Sequence, residues 1–444
     1  MLEEILQLLE ERRLAELSRR LGELNPADIA ATLEELPEKD LPLVFRILPK
    51  DKAADTFVEL DIDIQELLIH AFSDRELKAV MDQLYMDDTV DIIEEMPANV
   101  VRRILAVTTP EDRAAINQLL SYPEDSAGSL MTVEYVSLPR QLSVDQAIHR
   151  IRRTAVDKET IYTCYVTDPN RKLIGVITVK ELLTQPGDAC ISDIMEENVL
   201  FVTTHEDKEQ VAQLFSKYDM LALPVVDTER RLVGIITVDD AIDVMEEETT
   251  EDIEKMAAIT PSERDYLHTG VFTIWKQRIP WLLILMVSAT FTSKIINHFE
   301  TALAAQTALI AFIPMLMDTS GNAGSQSAVT IIRGLSLNEI ALRDVFTIIW
   351  KELRVSLLCG VSLAAAAFGK MLLIDRVSWM VALVVSITMA ATVVLAKLVG
   401  SLFPLLAKRV KLDPAVMASP FITTIVDALA LLVYFRVAAV LLQF

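Results

Sequence analysis

The sequence predicts a multidomain membrane protein with an all-α superhelical N-domain, a duplicated α/β region, a long connecting helix and a five-helix transmembrane domain. Three observations predict this fold class. Residues 1–275 are acidic, with 27 Lys/Arg against 56 Asp/Glu, whereas residues 276–444 are apolar and carry 14 against 8. Residues 126–250 contain an internal repeat rich in β-branched side chains. Beyond Ile279, hydropathy gives five segments long enough to cross a bilayer.

The composition of the 444-residue chain excludes several classes of protein. A net charge of −23 repels phosphate and attracts cations, so nucleic acid is not expected as a partner. The three cysteines form no C-x-x-C pair and the five histidines are scattered, which argues against a disulfide framework and a zinc site. The N-terminal segment MLEEILQLLEERR is typical of an acidic amphipathic helix and not of a signal peptide. We therefore expect the acidic half in the cytoplasm.

Residues 1–125 are predicted to form a helical N-domain. Apolar residues recur at spacings of three and four, as at Leu41, Val44, Phe45 and Leu48. Prolines such as Pro37 and others along the segment separate short helices. This pattern is typical of helices that stack in a superhelical array, and an adaptor bundle would fit the pattern as well.

Residues 126–250 contain two copies of one α/β unit. The segment Tyr165–Leu183 repeats as Val225–Asp243, each copy reading as strand, acidic turn, strand and helix. Two copies of about 60 residues resemble a tandem pair of CBS modules. A G-x-x-T-x-x-D pattern is complete in the second copy, where it ends at Asp240, but ends in Glu181 in the first. Asp240 is therefore a candidate for holding the ribose of an adenine nucleotide such as ATP.

Residues 241–276 are predicted to form one long acidic connecting helix. Acidic side chains from Glu246 to Glu254 crowd its first half, and Lys276 and Arg278 follow its end. A charge run is often only a solvated helix face. Here it joins the duplicated region to the membrane domain, which favours a functional role.

Residues 277–444 are predicted to form the transmembrane domain. Its five spans are expected at residues 279–297, 302–335, 345–373, 378–405 and 415–442. The second and third exceed the roughly 20 residues that a span needs, so we expect them to tilt or break. Basic residues concentrate between spans two and three and between spans four and five. By the positive-inside rule, the N-terminus lies in the cytoplasm and the C-terminus outside.

Asp427 is the first candidate site residue, because a carboxylate inside a bilayer is expensive and usually functional. It shares one face of span five with Pro420, Thr423 and Thr424. An ion pathway is the default reading of such a residue. The alternative is a structural ion pair with a buried base such as Lys397.

Asp318 is the second candidate site residue and lies within the polar stretch Pro314–Gly334 of span two. Pro314, Gly321 and Gly324 allow this span to bend, and irregular backbone at membrane depth survives only where it is buried or lines a watery cavity. The stretch also supplies side-chain oxygens from Asn322, Ser325, Gln326 and Ser327. The alternative is helix packing, since small polar residues also join transmembrane helices.

Carboxylate, hydroxyl and carbonyl oxygens are ligands that Mg²⁺ and Ca²⁺ prefer. Because Mg²⁺ gives up its waters reluctantly, a pore for it should contact the hydrated ion. One aspartate per chain is little charge for a divalent ion. A two-fold dimer would place two Asp427 side chains across one axis.

These residues resemble the MgtE family of bacterial magnesium channels and transporters over the whole chain. The family's P-x-L-x-D-T-G-G-N-x-G-S-Q-like stretch is matched by Pro314 to Gln326, and D-P-A followed by P-x-x-T-T-x-x-D is matched from Asp413 to Asp427. Ser320 stands where the family usually has glycine. Serine would be costly there if the position needs a positive φ or a close backbone approach.

The resemblance implies a homodimer in membrane lipid, with the pore between protomers and a selectivity site at Asp427. It also implies closure by intracellular Mg²⁺ bound among the N-domain, the CBS pair and the connecting (plug) helix. The implied acidic ligands are Asp55, Asp87, Asp91, Glu209, Asp219, Asp240, Asp243, Glu248, Glu251, Asp252 and Asp413. The expected pore-lining residues are Asn322, Gly324, Gln326, Pro420, Thr423 and Thr424.

The leading hypothesis is a Mg²⁺-selective channel or transporter in the cytoplasmic membrane, which imports Mg²⁺ and is not an enzyme. Shared divalent ions would neutralise facing carboxylates and draw the domains together. One alternative is a nucleotide-sensing membrane regulatory protein in which the CBS pair is primary. A membrane enzyme using Asp318 and Asp427 as an acid–base pair would lack a nucleophile. An anion channel would not carry acidic intramembrane stretches.

Overall fold

The computed structural model describes residues 2–262, 266–267, 269–299, 307–417 and 419–442. The chain divides into two compact units, Met1–Met245 and Glu246–Phe444. The first unit holds the helical N-terminal region and both α/β copies. The second holds the end of the connecting helix and the apolar helices.

The first unit begins with a series of short helices, which confirms the all-α prediction for this region. Their bounds are α1 Leu2–Glu10, α2 Leu14–Gly22, α3 Pro26–Glu34, α4 Leu41–Arg46, α5 Lys50–Val58, α6 Ile62–Ala71, α7 Asp74–Met81, α8 Met86–Glu95, α9 Ala98–Val107 and α10 Pro110–Leu119. Helices of this length are marginal alone and depend on tertiary packing. Each buries apolar residues at spacings of three and four in one shared core.

Local signals fix where several of these helices begin. Ser73 and Glu76 form a reciprocal capping box at the start of α7, and the Thr109 hydroxyl caps α10. Pro26 and Pro110 occupy first-turn positions, where the missing N–H costs nothing. The punctuation visible in the sequence therefore sets the helix boundaries.

The α/β region forms two three-stranded sheets of the same topology. Its elements are β1 Ser137–Pro139, α11 Val144–Thr154, β2 Thr163–Thr167, β3 Leu173–Thr178, α12 Val179–Thr184, α13 Ile191–Ile194, β4 Val202–Thr203, α14 Lys208–Tyr218, β5 Ala222–Val226, β6 Leu232–Thr237 and α15 Val238–Met256. In each sheet the middle strand pairs parallel with the first and antiparallel with the third. The internal repeat therefore corresponds to a structural repeat.

The two copies are joined reciprocally. The Leu173 N–H donates to Arg230 O at 3.0 Å, and the Leu232 N–H donates to Arg171 O at 2.9 Å. The segment before each copy also crosses over: Thr132 bridges Ile235, and Glu196 bridges Val176. Because each copy supplies backbone partners to the other, the pair forms one interlocked body.

The connecting helix is shorter than the single helix expected over residues 241–276. Helix α15 ends at Met256, and Ala258 follows with a φ of 56°. The next helix begins at Val271 after Gly270. Left-handed backbone at Ala258 and the missing N–H of Pro261 both oppose continuation of the helix. The expected single helix is therefore corrected to two helices, the first ending at Met256 and the second beginning at Val271.

The second unit contains five long helices within its described residues, as predicted. They are α16 Val271–His298, α17 Ile313–Ser336, α18 Val345–Leu373, α19 Trp379–Arg409 and α20 Ser419–Leu442. Four of the five, all but α17, are long and apolar enough to cross a membrane. The expected second span begins at residue 302, and its residues 302–306 lie outside the described residues. Its polar remainder is α17.

Helix α17 is continuous, so the expected break does not occur within its described residues. Its glycines allow close packing instead: a Cβ on Gly400 of α19 would lie 2.1 Å from Gly324 O of α17. Ser320 is fully buried and donates to Leu316 O at 2.7 Å, within ordinary helix. Serine at this position therefore requires neither a positive φ nor the loss of a hydrogen bond.

Candidate cation sites

A group of carboxylates, of which Asp87 is buried, lies within the first unit where α8 approaches the start of α15. Asp87 is 6% exposed, and its nearby charges are Asp240, Asp88 and Glu159. Asp91 is also close to Asp240. We call Asp87, Asp88, Asp91, Asp240 and Glu159 the acidic cluster. It joins three of the sequence-predicted ligands.

The carboxyl groups of the acidic cluster have raised pKa values, because burial and mutual repulsion both disfavour the charged form. Burial, then the charges of neighbouring carboxylates, raises the pKa of Glu159 to about 8 and that of Asp87 well above its usual range. Burial raises the pKa of Asp240 to about 7, and hydrogen bonds from Thr237 oppose this. The side chain of Asp91 keeps some solvent access, and burial by the surrounding protein followed by the charge of Asp240 raises its pKa as well.

The sign of this effect on stability follows from the direction of the shifts. A carboxylate whose folded pKa is raised favours the folded state below its unfolded pKa of about 4 and opposes it as the pH rises through the folded pKa. For Asp240 and Glu159, that loss extends to pH values of about 7 and 8. At neutral pH, repulsion between the charged carboxylates of the acidic cluster therefore opposes the packed arrangement. A bound divalent cation would relieve it.

The remaining predicted ligands of the first unit lie at other positions. Asp55 of α5 is exposed, and its charge reaches Asp88 at the edge of the acidic cluster. Glu209 accepts a hydrogen bond from Gln213 at 3.1 Å within α14. Asp219 is exposed in left-handed conformation at the end of α14, and Asp243 is exposed one turn beyond Asp240. Their metal roles stay predictions.

Asp240 also has a local structural role. Its carboxylate accepts from the Thr237 hydroxyl at 2.8 Å and from the Thr237 N–H at 3.3 Å. In the first copy, Glu181 makes the same bonds to Thr178 in a complete capping box. The G-x-x-T-x-x-D pattern therefore encodes a helix start in both copies, independent of any nucleotide.

In the second unit, three of the predicted ligands contact partners within the chain. Asp252 accepts from the Ser336 hydroxyl at 3.0 Å. Lys255 lies 2.6 Å from Glu251 and 2.7 Å from Asp413. Glu248 lies one turn before Asp252 on the same helix. The sequence interpretation did not include Lys255, although its spacing of four from Glu251 is a helical ion-pair signal.

Helix α17 carries a polar stripe that is exposed in the single chain. Asp318, Asn322 and Gln326 follow one another at spacings of four, and all three are exposed. Gly324, expected to line the pore, is instead buried against Ile422 of α20 and the backbone of α19. The pore-lining role of the exposed residues stays a prediction, whereas in the single chain Gly324 serves helix packing.

Asp427 of α20 lies beside this stripe. A Cβ on Gly321 would lie 2.9 Å from Thr423 and 3.8 Å from Asp427 Oδ1, so α17 passes close over both. Asp318 is near enough for its charge to act on Asp427. Asp427 Oδ1 is buried and has no hydrogen-bond partner among the described residues. Pro420 and Thr424 lie on the same helix, joined by a 3.0 Å hydrogen bond from the Thr424 hydroxyl.

Lys397 does not neutralise Asp427. Its ammonium lies 3.4 Å from the Ser327 hydroxyl, which donates to Glu352 Oε2 at 2.7 Å. This chain of contacts links α19, α17 and α18. The structural alternative for Asp427, an ion pair with Lys397, is therefore not supported by the geometry.

The residues present suit a hydrated cation better than a stripped one. Among the described residues, no group of three or more His, Cys, Asp or Glu side chains is arranged to hold a metal ion. The side-chain oxygens of Asp318, Asn322 and Gln326 are hard oxygen ligands. They are exposed along one face of α17, with Asp427 beside them, and so they fit contact with the water shell of an ion.

Some cluster residues were missed by the sequence interpretation. Asp88 stands beside the predicted ligand Asp87, so the doublet Asp87-Asp88 carried a usable signal. Glu159 carried none, because it lies in the segment before β2, far in sequence from the other members. Only the folded chain brings it to α8.

Comparisons with known proteins assign each region to a family. The divalent cation transporter family matches residues 313–437, the MgtE intracellular N domain matches residues 24–125, and the CBS domain matches residues 127–187 and 191–247. The chain is 37% identical to the magnesium transporter MgtE of Thermus thermophilus over 450 residues, covering 100% of this chain and 98% of the relative. It is 31% identical to magnesium transporter MgtE of Bacillus subtilis, with 98% and 96% covered.

Two solved structures each match a little over half of the chain. The cytosolic domain of the Mg²⁺ channel MgtE in complex with ATP has a TM-score of 0.53 at 35% identity, covering 55% of this chain and 100% of that one. The soluble part of a magnesium transporter has a TM-score of 0.52 at 30% identity, covering 56% and 97%. The fold and these matches define a membrane transport protein that carries a pair of CBS domains. The chain belongs to the MgtE family.

Proposed function

We propose that this protein is a Mg²⁺ channel or transporter whose pore forms between two copies of the chain. The observation that carries the proposal is the polar surface at membrane depth. Asp318, Asn322 and Gln326 form an exposed stripe on α17, and Asp427 beside it has an Oδ1 that accepts no hydrogen bond from the residues the structure describes. Polar groups facing lipid are costly, so such a surface must line a watery path.

A homodimer follows from the same surface. One chain offers Asp427 and Asp318 on one side only, with Thr423 next to them. A two-fold axis beside this side would double the carboxylates and enclose the stripe. The two facing sets of oxygen ligands, one from each chain, would attract a divalent cation and contact the water molecules that it retains. Asn322, Gln326, Pro420, Thr423 and Thr424 would line this path.

Regulation by intracellular Mg²⁺ is the second part of the proposal. The carboxylates of the acidic cluster repel one another in the packed arrangement. Cations that bridge Asp87, Asp91 and Asp240 reduce this repulsion and so favour the packed arrangement. Each hydrated site is weak, but several that favour one state give a steep response. At low Mg²⁺ the repulsion separates the elements and the pore opens. At high Mg²⁺ they pack and it closes.

The proposed orientation places the acidic unit in the cytoplasm and the C-terminus outside the cytoplasmic membrane. The basic positions that support it are Arg343 just before α18, Lys351 and Arg354 in the first turns of α18, and Lys408 and Arg409 at the end of α19. An inside-negative potential drives a divalent cation inward, with about 2.3 kcal/mol per charge per 100 mV. Import therefore requires no second coupled ion.

The proposal is tested by Mg²⁺ uptake into proteoliposomes that contain the full chain. We expect uptake driven by an inside-negative potential, and we expect Mg²⁺ on the cytoplasmic face to suppress it. A fluorescent Mg²⁺ indicator inside the vesicles measures the rate, and protein-free vesicles give the background. Uptake at the background rate would contradict the pore, and uptake that ignores cytoplasmic Mg²⁺ would contradict the gate.

ATP binding at the CBS pair is a second candidate property, favoured by the ATP complex of the MgtE cytosolic domain among the similar structures. If Asp240 holds a ribose, Asp240→Asn should weaken ATP binding to the full chain by about tenfold or more, because a hydrogen bond to a charged group is lost. Glu181→Gln in the first copy is the matched control and should leave binding unchanged. Calorimetric titration measures both. Equal binding by both variants would leave Asp240 only its capping role.

A further inference from the structure

Lys255 lies between two carboxylates that the MgtE resemblance assigns to regulatory Mg²⁺. Its ammonium is 2.6 Å from Glu251 Oε1 on α15 and 2.7 Å from Asp413 Oδ2 ahead of α20. The other Asp413 oxygen accepts from the Ala415 N–H at 2.8 Å. Both oxygens of Asp413 therefore already have donors within the chain.

We propose that Lys255 is a built-in cation that holds the connecting helix to the segment before α20, in the place the resemblance gives to Mg²⁺. This inference rests on the proposed function, in which contact between these two elements accompanies closure. An ammonium donates three hydrogen bonds as a point charge. Two of them are used here, at distances normal for charge-assisted bonds.

The surroundings support a held contact. The three side chains are partly shielded, with Lys255 22%, Asp413 34% and Glu251 38% exposed. Burial acts to lower the pKa of Lys255, but hydrogen bonds to Asp413 and Glu251 outweigh it and raise the pKa. The ammonium therefore stays charged at neutral pH. One turn away, Asp252 accepts from Ser336 at the end of α17, which fixes the same helix at a second point.

A consequence follows for the Mg²⁺ response. Two carboxylates with an ammonium between them carry one net negative charge, and they attract Mg²⁺ less than the bare pair would. The contact between α15 and the segment before α20 therefore forms without Mg²⁺. Control by Mg²⁺ then falls mainly on the acidic cluster of the first unit. Removing Lys255 should create a need for Mg²⁺ at Glu251 and Asp413.

The test uses the full chain in proteoliposomes with Mg²⁺ varied on the cytoplasmic face. Lys255→Met should raise the Mg²⁺ concentration that halves uptake by about threefold or more and steepen the curve, because closure then needs a further ion. Lys255→Arg keeps the charge and should behave like the wild type. Lys411→Met removes an equal charge from an exposed lysine two residues from Asp413 and is the matched control.

A double variant that exchanges the charges of Lys255 and Asp413 tests the inference even if Lys255→Met does not fold. In Lys255→Glu with Asp413→Lys, the new lysine can bridge both glutamates, so closure should return toward the wild-type Mg²⁺ concentration. If Lys255→Met fails to assemble, the exchange alone decides. Wild-type midpoint and slope in Lys255→Met, or no recovery in the exchange, would overturn the inference. A wild type that ignores cytoplasmic Mg²⁺ would instead overturn the proposed function.

Discussion

Replacement of Asp427 by alanine is expected to lower Mg²⁺ uptake into proteoliposomes by about tenfold or more. Asp427 lies in an apolar helix beside the polar stripe of α17, and within the described part of the chain its Oδ1 accepts no hydrogen bond. In the proposed dimer the substitution removes two such charges from one site. An increase of about 1.4 kcal/mol in the activation barrier already lowers the rate of uptake tenfold. A charge in a medium of low dielectric constant also acts more strongly than the same charge in water.

Two controls separate this role from general damage. Asp427→Asn keeps the shape of the side chain and removes only the charge, so its uptake should also fall. Asp375→Asn removes a carboxylate that pairs with Lys370 after α18, and its uptake should match the wild type. Protein yield and thermal unfolding report folding for all three variants. Equal uptake by Asp427→Ala and the wild type would make Asp427 a structural residue and the pore assignment wrong.

Neutralising the acidic cluster is expected to abolish regulation while leaving the pore intact. In the triple variant Asp87→Asn, Asp91→Asn and Asp240→Asn, the repulsion that opposes packing is relieved, and Mg²⁺ loses the carboxylates it would bridge. Uptake at low cytoplasmic Mg²⁺ should then fall below the wild-type rate. Across the range that closes the wild type, it should change by less than about twofold, because no ligand remains to shift the population.

The matched control removes three exposed carboxylates elsewhere in the first unit. Asp28→Asn, Asp63→Asn and Asp193→Asn remove the same number of negative charges, and this control should keep the wild-type response. Hydrogen exchange of α8 provides a second readout. Mg²⁺ should slow exchange in the wild type, and the cluster variant should exchange slowly without Mg²⁺. An unchanged Mg²⁺ response in the cluster variant would contradict the proposed gate.

The order of the domains was predictable because each carries its own local pattern. Spacings of three and four gave the N-terminal helices, the repeat ending near Asp243 gave the paired sheets, and hydropathy gave the C-terminal helices. Capping residues such as Ser73 and Thr178 act on their nearest neighbours, so their effect is visible in the sequence. The full length of the connecting helix was not predictable from its charge pattern, because a single left-handed residue at Ala258 helps to end it.

The sequence also pointed to residues whose chemistry is unusual for their surroundings. Asp427 and Asp318 stood out because carboxylates are rare in apolar segments, and the spacing of Asp427 to Thr423 defined one face of span five. It did not distinguish which polar residues face outward. Gly324 lies only two residues from exposed Asn322 and Gln326, yet it is buried where α17 meets α19. Packing between helices decided that difference.

The sequence by itself determined the fold class, the family and the presence of costly charges, since these depend on composition and on spacing along one element. The tertiary structure decided which charges meet. It placed Glu159 with α8, joined Lys397 to Glu352 through Ser327 and set Lys255 between Glu251 and Asp413. The physical reason is that electrostatic interactions fall off with distance in space and with exposure to water. Neither quantity can be read from positions along the chain.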